Sequence, residues 1–166
     1  MDAIVLIGPP GAGKSTIGRL LAKKLNRTFV DTDEIIENRA GKTISDIFLE
    51  DGEPAFRSLE QEVVLEFLES KSCVVSLGGG AVLNKEVQLK LEGMPEVIFL
   101  DVSISNAAPR IGFNRDRPLL LGNPRQQWLS LMEKRRPIYE HLATRTISTD
   151  NKKASEAAEE IAEVLR

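Results

Sequence analysis

One cysteine, Cys73, in 166 residues excludes an intrachain disulfide framework. It stands in the apolar run Cys73-Val74-Val75 and reads as a buried strand residue. His141 is the lone histidine, and its neighbours suggest neither catalysis nor metal binding. No apolar stretch approaches the ~20 residues that a membrane helix requires, so no membrane partner is expected. A signal-peptide pattern is missing as well: Asp2 is acidic, and a glycine loop interrupts the first apolar run almost at once. A cytoplasmic protein is the expectation. Excess positive charge is also lacking, with 22 Lys and Arg against 25 Asp and Glu and a net charge of −3, which argues against a nucleic-acid partner. No repeat, linker or low-complexity tract divides the chain, so residues 1–166 read as one domain and a monomer is expected.

What is present is an ordinary globular mixture, 42% hydrophobic and 28% charged, organised around Gly8 to Thr16, GPPGAGKST. This stretch follows the apolar run Ala3-Ile4-Val5-Leu6-Ile7 and leads into Ile17-Gly18-Arg19-Leu20-Leu21-Ala22. Strand, glycine loop and helix therefore come in the order of a phosphate loop, and Gly8, Gly13, Lys14 and Ser15 meet its pattern. Glycines let the backbone curl so that several N–H groups converge on phosphate oxygens, and the helix N-terminus adds a favourable dipole. Lys14 is placed to reach the β- and γ-phosphates, and the Ser15 hydroxyl to ligate magnesium. The stretch is a nucleoside triphosphate site.

Short β-type runs near 3–7, 28–31, 73–77, 96–102 and 144–148 alternate with helical patterns. Such alternation predicts an α/β fold with a mostly parallel sheet and helices on both faces. Ligands of these sheets gather at the carboxyl ends of the strands, and unusual residues cluster there. The first strand ends in the phosphate loop. The second ends in Asp31-Thr32-Asp33; in a still-extended segment both carboxylates would look into one site, while the alternative is that Asp31 caps the next helix with Glu34 completing a box. The third ends in Gly78-Gly79-Gly80, which fits close approach by a ligand better than a simple turn.

Between the second and third strands an insertion, roughly 34–71, carries helices of its own and is the place for a second substrate. Within it Ile44, Phe48 and Phe56 read as packing, and Arg57 has a solvated salt bridge as its plain alternative. Beyond the fourth strand a helical stretch containing Pro109 reaches Arg110, and a Gly- and Pro-bounded, arginine-containing segment follows that reads as a flap. A long amphipathic helix, about 125–142, carries Trp128 as packing, and Pro137 is expected to kink or break it. The arginines at 110, 115, 117, 125, 135 and 136 are spaced in a way that suits a small anionic ligand.

At this point the chain resembles the shikimate kinase family over essentially its whole length. The shared marks are GPPGAGKST at 8–16, DTD at 31–33, Gly-Glu-x-x-Phe-Arg at 52–57 and Gly78-Gly79-Gly80, then Arg-Pro-Leu-Leu at 117–120 and Lys-Arg-x-Pro-x-Tyr at 134–139. The resemblance implies a single-domain P-loop kinase of the nucleoside-monophosphate-kinase type. Its five-stranded parallel sheet would be flanked by helices, with a substrate-binding helical insertion at about 33–61 and a lid at about 112–124. It implies transfer of the ATP γ-phosphate to the 3-hydroxyl of shikimate, giving shikimate 3-phosphate and ADP on the route to aromatic amino acids.

Carried over residue by residue, the resemblance gives Lys14, Asp33 and Arg117 the catalytic roles, with Asp33 on the shikimate hydroxyls as a base. ATP would be held by Gly11, Ala12, Gly13, Lys14, Ser15 and Thr16, with Arg110 and Lys152 near adenine and Arg117 over the phosphates. Arg57 and Arg135 would hold the substrate carboxylate, and Gly78, Gly79 and Gly80 would line the same pocket. Ser15 would ligate Mg2+, with Asp31 assisting through water. Two departures stand out: Pro109 inside the helix that presents Arg110, and no proline in the stretch after Asn151.

The nearest rival is a gluconate or nucleoside monophosphate kinase on the same fold; a nucleotide acceptor would not require Arg57 and Arg135 to converge. A GTP-binding switch needs Asn-Lys-x-Asp, but Asn84-Lys85 and Asn151-Lys152 are followed by Val87 and Ala154 where the aspartate belongs. A degenerate relative is opposed by the intact Lys14, Asp33, Arg57, Arg117 and Arg135.

Overall fold

The computed structural model of the chain describes residues 1–111 and 123–166. The five apolar runs become strands: β1 (Ile4–Ile7), β2 (Thr28–Asp31), β3 (Cys73–Ser76), β4 (Val97–Asp101) and β5 (Arg145–Ser148). They form one parallel sheet in the order β2-β3-β1-β4-β5. All four residues of β1 and of β3 are buried. Successive strand residues point to opposite faces, so unbroken burial means that both faces of the sheet are covered.

The cover is helical: α1 (Lys14–Leu25), α2 (Thr32–Ala40), α3 (Ile44–Asp51), α4 (Glu53–Leu68), α5 (Lys85–Glu92), α6 (Ile104–Ile111), α7 (Pro124–Leu142) and α8 (Ala154–Val164). α1 packs against α8, whereas α4, α5 and α7 form a second group in which α5 touches both of the others. Strand, first helix and sheet share one apolar core that runs from Ala3 to Ala162. The insertion has a separate, smaller core of Ile36, Ile44, Ile47, Phe56 and Val63, with Phe48 packed on it. Phe48 and Phe56 lie with ring centroids 4.9 Å apart.

The order of the sheet turns about β1. From β1 the chain first builds β2 and β3 on one side and then crosses to β4 and β5 on the other. The crevice beyond such a switch point is where open α/β sheets bind ligands. The phosphate loop leaves β1 there, and a short 3-10 turn, Ala81–Leu83, follows the three glycines that leave β3.

Two boundaries differ from the sequence reading. Helix α7 runs unbroken through Pro137. A helical proline frees the carbonyl four residues back, here that of Glu133, and both residues are exposed, so water can satisfy it. Asn123 and Pro124 belong to α7 rather than to the flap: the Asn123 side chain accepts from Gln126 N at 3.2 Å, and Pro124 opens the helix where a missing N–H costs nothing. Pro109 likewise sits inside α6, within its last turn.

Candidate active site

The phosphate loop takes its shape from glycine. Gly13, the residue before α1, has φ +89°, a left-handed conformation that other residues adopt only under strain. Gly13 brings no side-chain cap to α1, and the start of such a helix favours an anion. Lys14 Nζ donates to the carbonyls of Gly8 at 2.7 Å and Pro9 at 3.0 Å, folding the ammonium over the loop. A cavity of about 470 Å³ opens along it. Gly11, Ala12, Gly13, Lys14, Ser15 and Thr16 line it, together with Arg110, Lys152, Asp31, Asp33 and Gly78. Arg110 is held by three bonds, to Gly11 O at 3.1 Å, Thr149 Oγ1 at 3.0 Å and Thr149 O at 2.8 Å. The Pro109 turn therefore still delivers Arg110 to the loop. Lys152 Nζ is turned onto Glu160 at 2.6 Å.

Asp31 is both a cap and a site residue. Its Oδ1 accepts from Asp33 N at 2.9 Å, and its Oδ2 accepts from Ser15 Oγ at 2.6 Å. That first bond starts α2 at Thr32, so Asp33 lies in a helical first turn and not in an extended segment. Glu34 pairs with Arg19 instead of completing a capping box. Ser15 Oγ and Asp31 thus set two oxygen donors beside the loop. Mg2+ is held typically by one or two protein oxygens, with phosphate and water completing its shell, and this pair fits that need. Among the described residues no cluster of three or more His, Cys, Asp or Glu could hold a metal by itself, so such an ion would depend on the nucleotide's oxygens.

A second cluster of charged side chains lies next to this cavity, on the three glycines. A Cβ on Gly78 would stand 2.9 Å from Asp33 Oδ1, one on Gly79 would stand 3.3 Å from Arg135 Nη1, and one on Gly80 would stand 2.6 Å from Arg57 Nη1. The close approach that these glycines permit is by the site's own side chains. Asp33, Arg57 and Arg135, from α2, α4 and α7, are gathered on one turn of backbone. The turn reading holds too, since Ala81 N bonds Gly78 O at 3.1 Å.

Arg57 keeps two salt bridges along α4, to Glu60 at 2.8 Å, only 4% exposed, and to the exposed Glu53 at 3.4 Å, so the solvated-bridge alternative holds for one partner and not for the other. Arg135 is 5% exposed. Its burial lowers the guanidinium pKa; the Tyr139 hydroxyl and Glu60 oppose that effect, and the charge of Arg57 adds to it. Among the described residues Arg135 Nε has no hydrogen-bond partner. A desolvated cation with an unused donor is poised for an anion, and its planar fork matches a carboxylate.

Several contacts had no signal in the sequence. Tyr139 OH donates to Gly79 O at 2.6 Å, and Trp128 Nε1 donates to Pro10 O at 2.8 Å, so Trp128 does more than pack. Arg136 forks onto Asp101 at 2.9 and 3.0 Å. Glu60 alone could have been found, because residues three apart on a helix face each other. Arg117, and the flap at 112–122 that carries it, lie outside the described residues.

The family model for shikimate kinase matches residues 10–166. A shikimate kinase of Thermobifida fusca is 55% identical over 161 residues, covering 97% of this chain and 93% of the relative. One of Rhodococcus jostii is 47% identical over 95% of this chain and 94% of its own. Among solved structures, a shikimate kinase from Acinetobacter baumannii in complex with shikimate superposes with a TM-score of 0.96 at 36% identity, covering 99% of this chain and 93% of that one.

Proposed function

The chain belongs to the shikimate kinase family, and from that premise we propose how its residues transfer the γ-phosphoryl group of ATP to the 3-hydroxyl of shikimate. The observation that carries the reading is the convergence of Arg57, Arg135 and Asp33 on Gly78–Gly80, beside the cavity of the phosphate loop. A carboxylate on the two arginines orients the acceptor ring so that a hydroxyl faces Asp33. The transfer breaks the bond between the γ-phosphorus and the β–γ bridging oxygen and makes one to the 3-oxygen. The hydroxyl proton passes to the Asp33 carboxylate, and ADP and shikimate 3-phosphate leave.

Phosphoryl transfer asks the protein for position and charge more than for covalent help. Lys14 exchanges its two loop carbonyls for phosphate oxygens, and the N–H groups at the start of α1 hold the same phosphates. Arg110 and Lys152 would lie near the adenine. Arg117, from the segment at 112–124, adds charge over the transferred group. Ser15, with Asp31 through water, would hold Mg2+, which neutralises phosphate charge when bound. The insertion at about 33–61 is the shikimate-binding part. A cytoplasmic monomer is the form we assign; among the described residues no helix is long and apolar enough to cross a membrane.

The test is coupled ADP release with ATP and magnesium, with shikimate, gluconate and AMP as parallel acceptors. Turnover with shikimate alone is expected. Turnover with AMP or gluconate in its place would move the acceptor assignments to a sister family.

A further inference from the structure

Arg110 is set in place from outside its own helix. Pro109 removes one ladder bond from the last turn of α6 and frees the carbonyl of Ser105, so the helix alone does not fix the turn that presents Arg110. Arg110 is long and exposed, and such a side chain loses rotamer freedom when it is held still. What holds it is Thr149, which follows β5 and is 1% exposed. Thr149 N and Thr149 Oγ1 both donate to Asp101 O, at 2.8 and 3.1 Å, and the hydroxyl has only one proton to give. Its oxygen is left to accept from Arg110 Nη1 at 3.0 Å, while Thr149 O accepts from Nη2 at 2.8 Å. Nη1 reaches on to Gly11 O, in the phosphate loop, at 3.1 Å. One stripe of α6 is seamed to the turn after Thr149: Ser103 N donates to Asp150 Oδ1 at 2.9 Å, and Asn151 N donates to Asn106 Oδ1 at 2.9 Å. A Cβ on Gly11 would stand 3.0 Å from Ala107 Cβ, so α6 and the phosphate loop are in direct contact.

We propose that the Thr149 hydroxyl is a positioning group for the nucleotide: it fixes Arg110 and, through Arg110, the phosphate loop at Gly11. It acts through the arginine rather than by contact with ATP. Thr149 is anchored to the end of β4, in the sheet, and passes that rigidity to an exposed side chain at the cavity. Without the hydroxyl, Arg110 keeps only the Thr149 and Gly11 carbonyls, and Nη1 loses an acceptor on its buried side. Arg110 then leaves the place that the nucleotide needs, and binding has to restore the order that Thr149 supplied beforehand. The loss falls on ATP and ADP, because none of these bonds reaches Arg57, Arg135 or Asp33. This role rests on the assignment of Arg110 to ATP.

The experiment joins steady-state kinetics, with ATP and shikimate varied in turn, to calorimetric titration of ADP. It compares the native chain with Thr149→Val, Thr149→Ser, Arg110→Ala and the double variant Thr149→Val with Arg110→Ala. Thr149→Val keeps the shape and removes the hydroxyl. It should raise the KM for ATP and weaken ADP by about fivefold to tenfold, with the KM for shikimate within about twofold. Thr149→Ser, which keeps the hydroxyl, should hold both nucleotide constants within about twofold of native. In the Arg110→Ala background Thr149→Val should add less than about twofold, because the group it acts through is gone. A purely structural role would move the constants of both substrates and would persist without Arg110. That result, native nucleotide constants in Thr149→Val, or a serine variant as impaired as the valine one overturns the proposal. Where Thr149→Val does not fold, Thr149→Ala decides in its place. If Arg110→Ala itself leaves ATP and ADP at native values, the assignment of Arg110 falls and this role with it. If Arg110→Ala weakens them and Thr149→Val does not, only the role of Thr149 falls.

Discussion

Arg57 reaches the glycine turn because the residue across from it has no side chain: a Cβ on Gly80 would stand 2.6–3.0 Å from three guanidinium atoms. Gly80→Ala should therefore displace Arg57 without touching the phosphate loop. Losing a charge-assisted grip of roughly 1.5–3 kcal/mol should raise the KM for shikimate about tenfold to a hundredfold, with the KM for ATP within about twofold. Steady-state kinetics with each substrate varied in turn checks this, and Arg57→Ala should move the same constant in the same direction. Equal losses for both substrates would remove Arg57 from the acceptor side. At this scale the sequence is legible where function is local. Lys14, Ser15 and the Asp31–Asp33 pair were marked by motif and by position after a strand. Tyr139 stands in a family motif and Trp128 reads as packing, but their bonds to Gly79 and Pro10 are not legible, because they join residues 60 and 118 apart and depend on how helices pack.

At the scale of elements, the insertion is stabilised by its own small core, apart from the main one. Ile47 sits in it at 2% exposure, on α3, away from the phosphate loop. Ile47→Ala should cost about 2–5 kcal/mol, the usual range for truncating a buried aliphatic residue. Urea denaturation should show the loss, and nucleotide affinity of the folded variant should be unchanged. The strands were legible to within a residue or so at each end, since a buried parallel sheet writes itself as short apolar runs between glycines and polar turns. Pro137 does not break α7, because its penalty is not set by the helix alone. Glu133 and Pro137 are both exposed, which leaves the freed carbonyl within reach of water, and exposure is a tertiary property.

At the scale of the whole molecule, ion pairs tie neighbouring elements at the surface. Glu66 on α4 holds Arg39 of α2, Glu69 at the end of α4 holds Lys90 of α5, and Glu159 on α8 holds Lys24 of α1. In each case the hydrogen bond to the cation lowers the carboxyl pKa, with the cation's charge adding to it and desolvation opposing. A folded pKa below the unfolded one means that the unfolded chain binds more protons, so stability rises with pH through that window. The contribution is complete above the ordinary glutamate value of about 4.3 and is lost as pH falls through the lowered folded values. The melting temperature should be level from neutral pH down to about 5 and decline below about 4. A thermal melt series across that range checks it, and a level profile below pH 4 would show that these pairs contribute nothing.

The central place of β1 bears on how the protein is made. The strand that carries the phosphate loop is hydrogen-bonded to β3 on one side and β4 on the other, and both follow it by many residues in the chain. On the ribosome, β1 is therefore held without either neighbour while the whole insertion is translated, and without β4 until Asp101 has been added. At about 5–20 residues per second that interval is roughly 5–20 s. During it the four apolar residues of β1 present two unpaired edges, which suits the grip of a chaperone, and the nascent chain has no finished cradle in which to hold nucleotide.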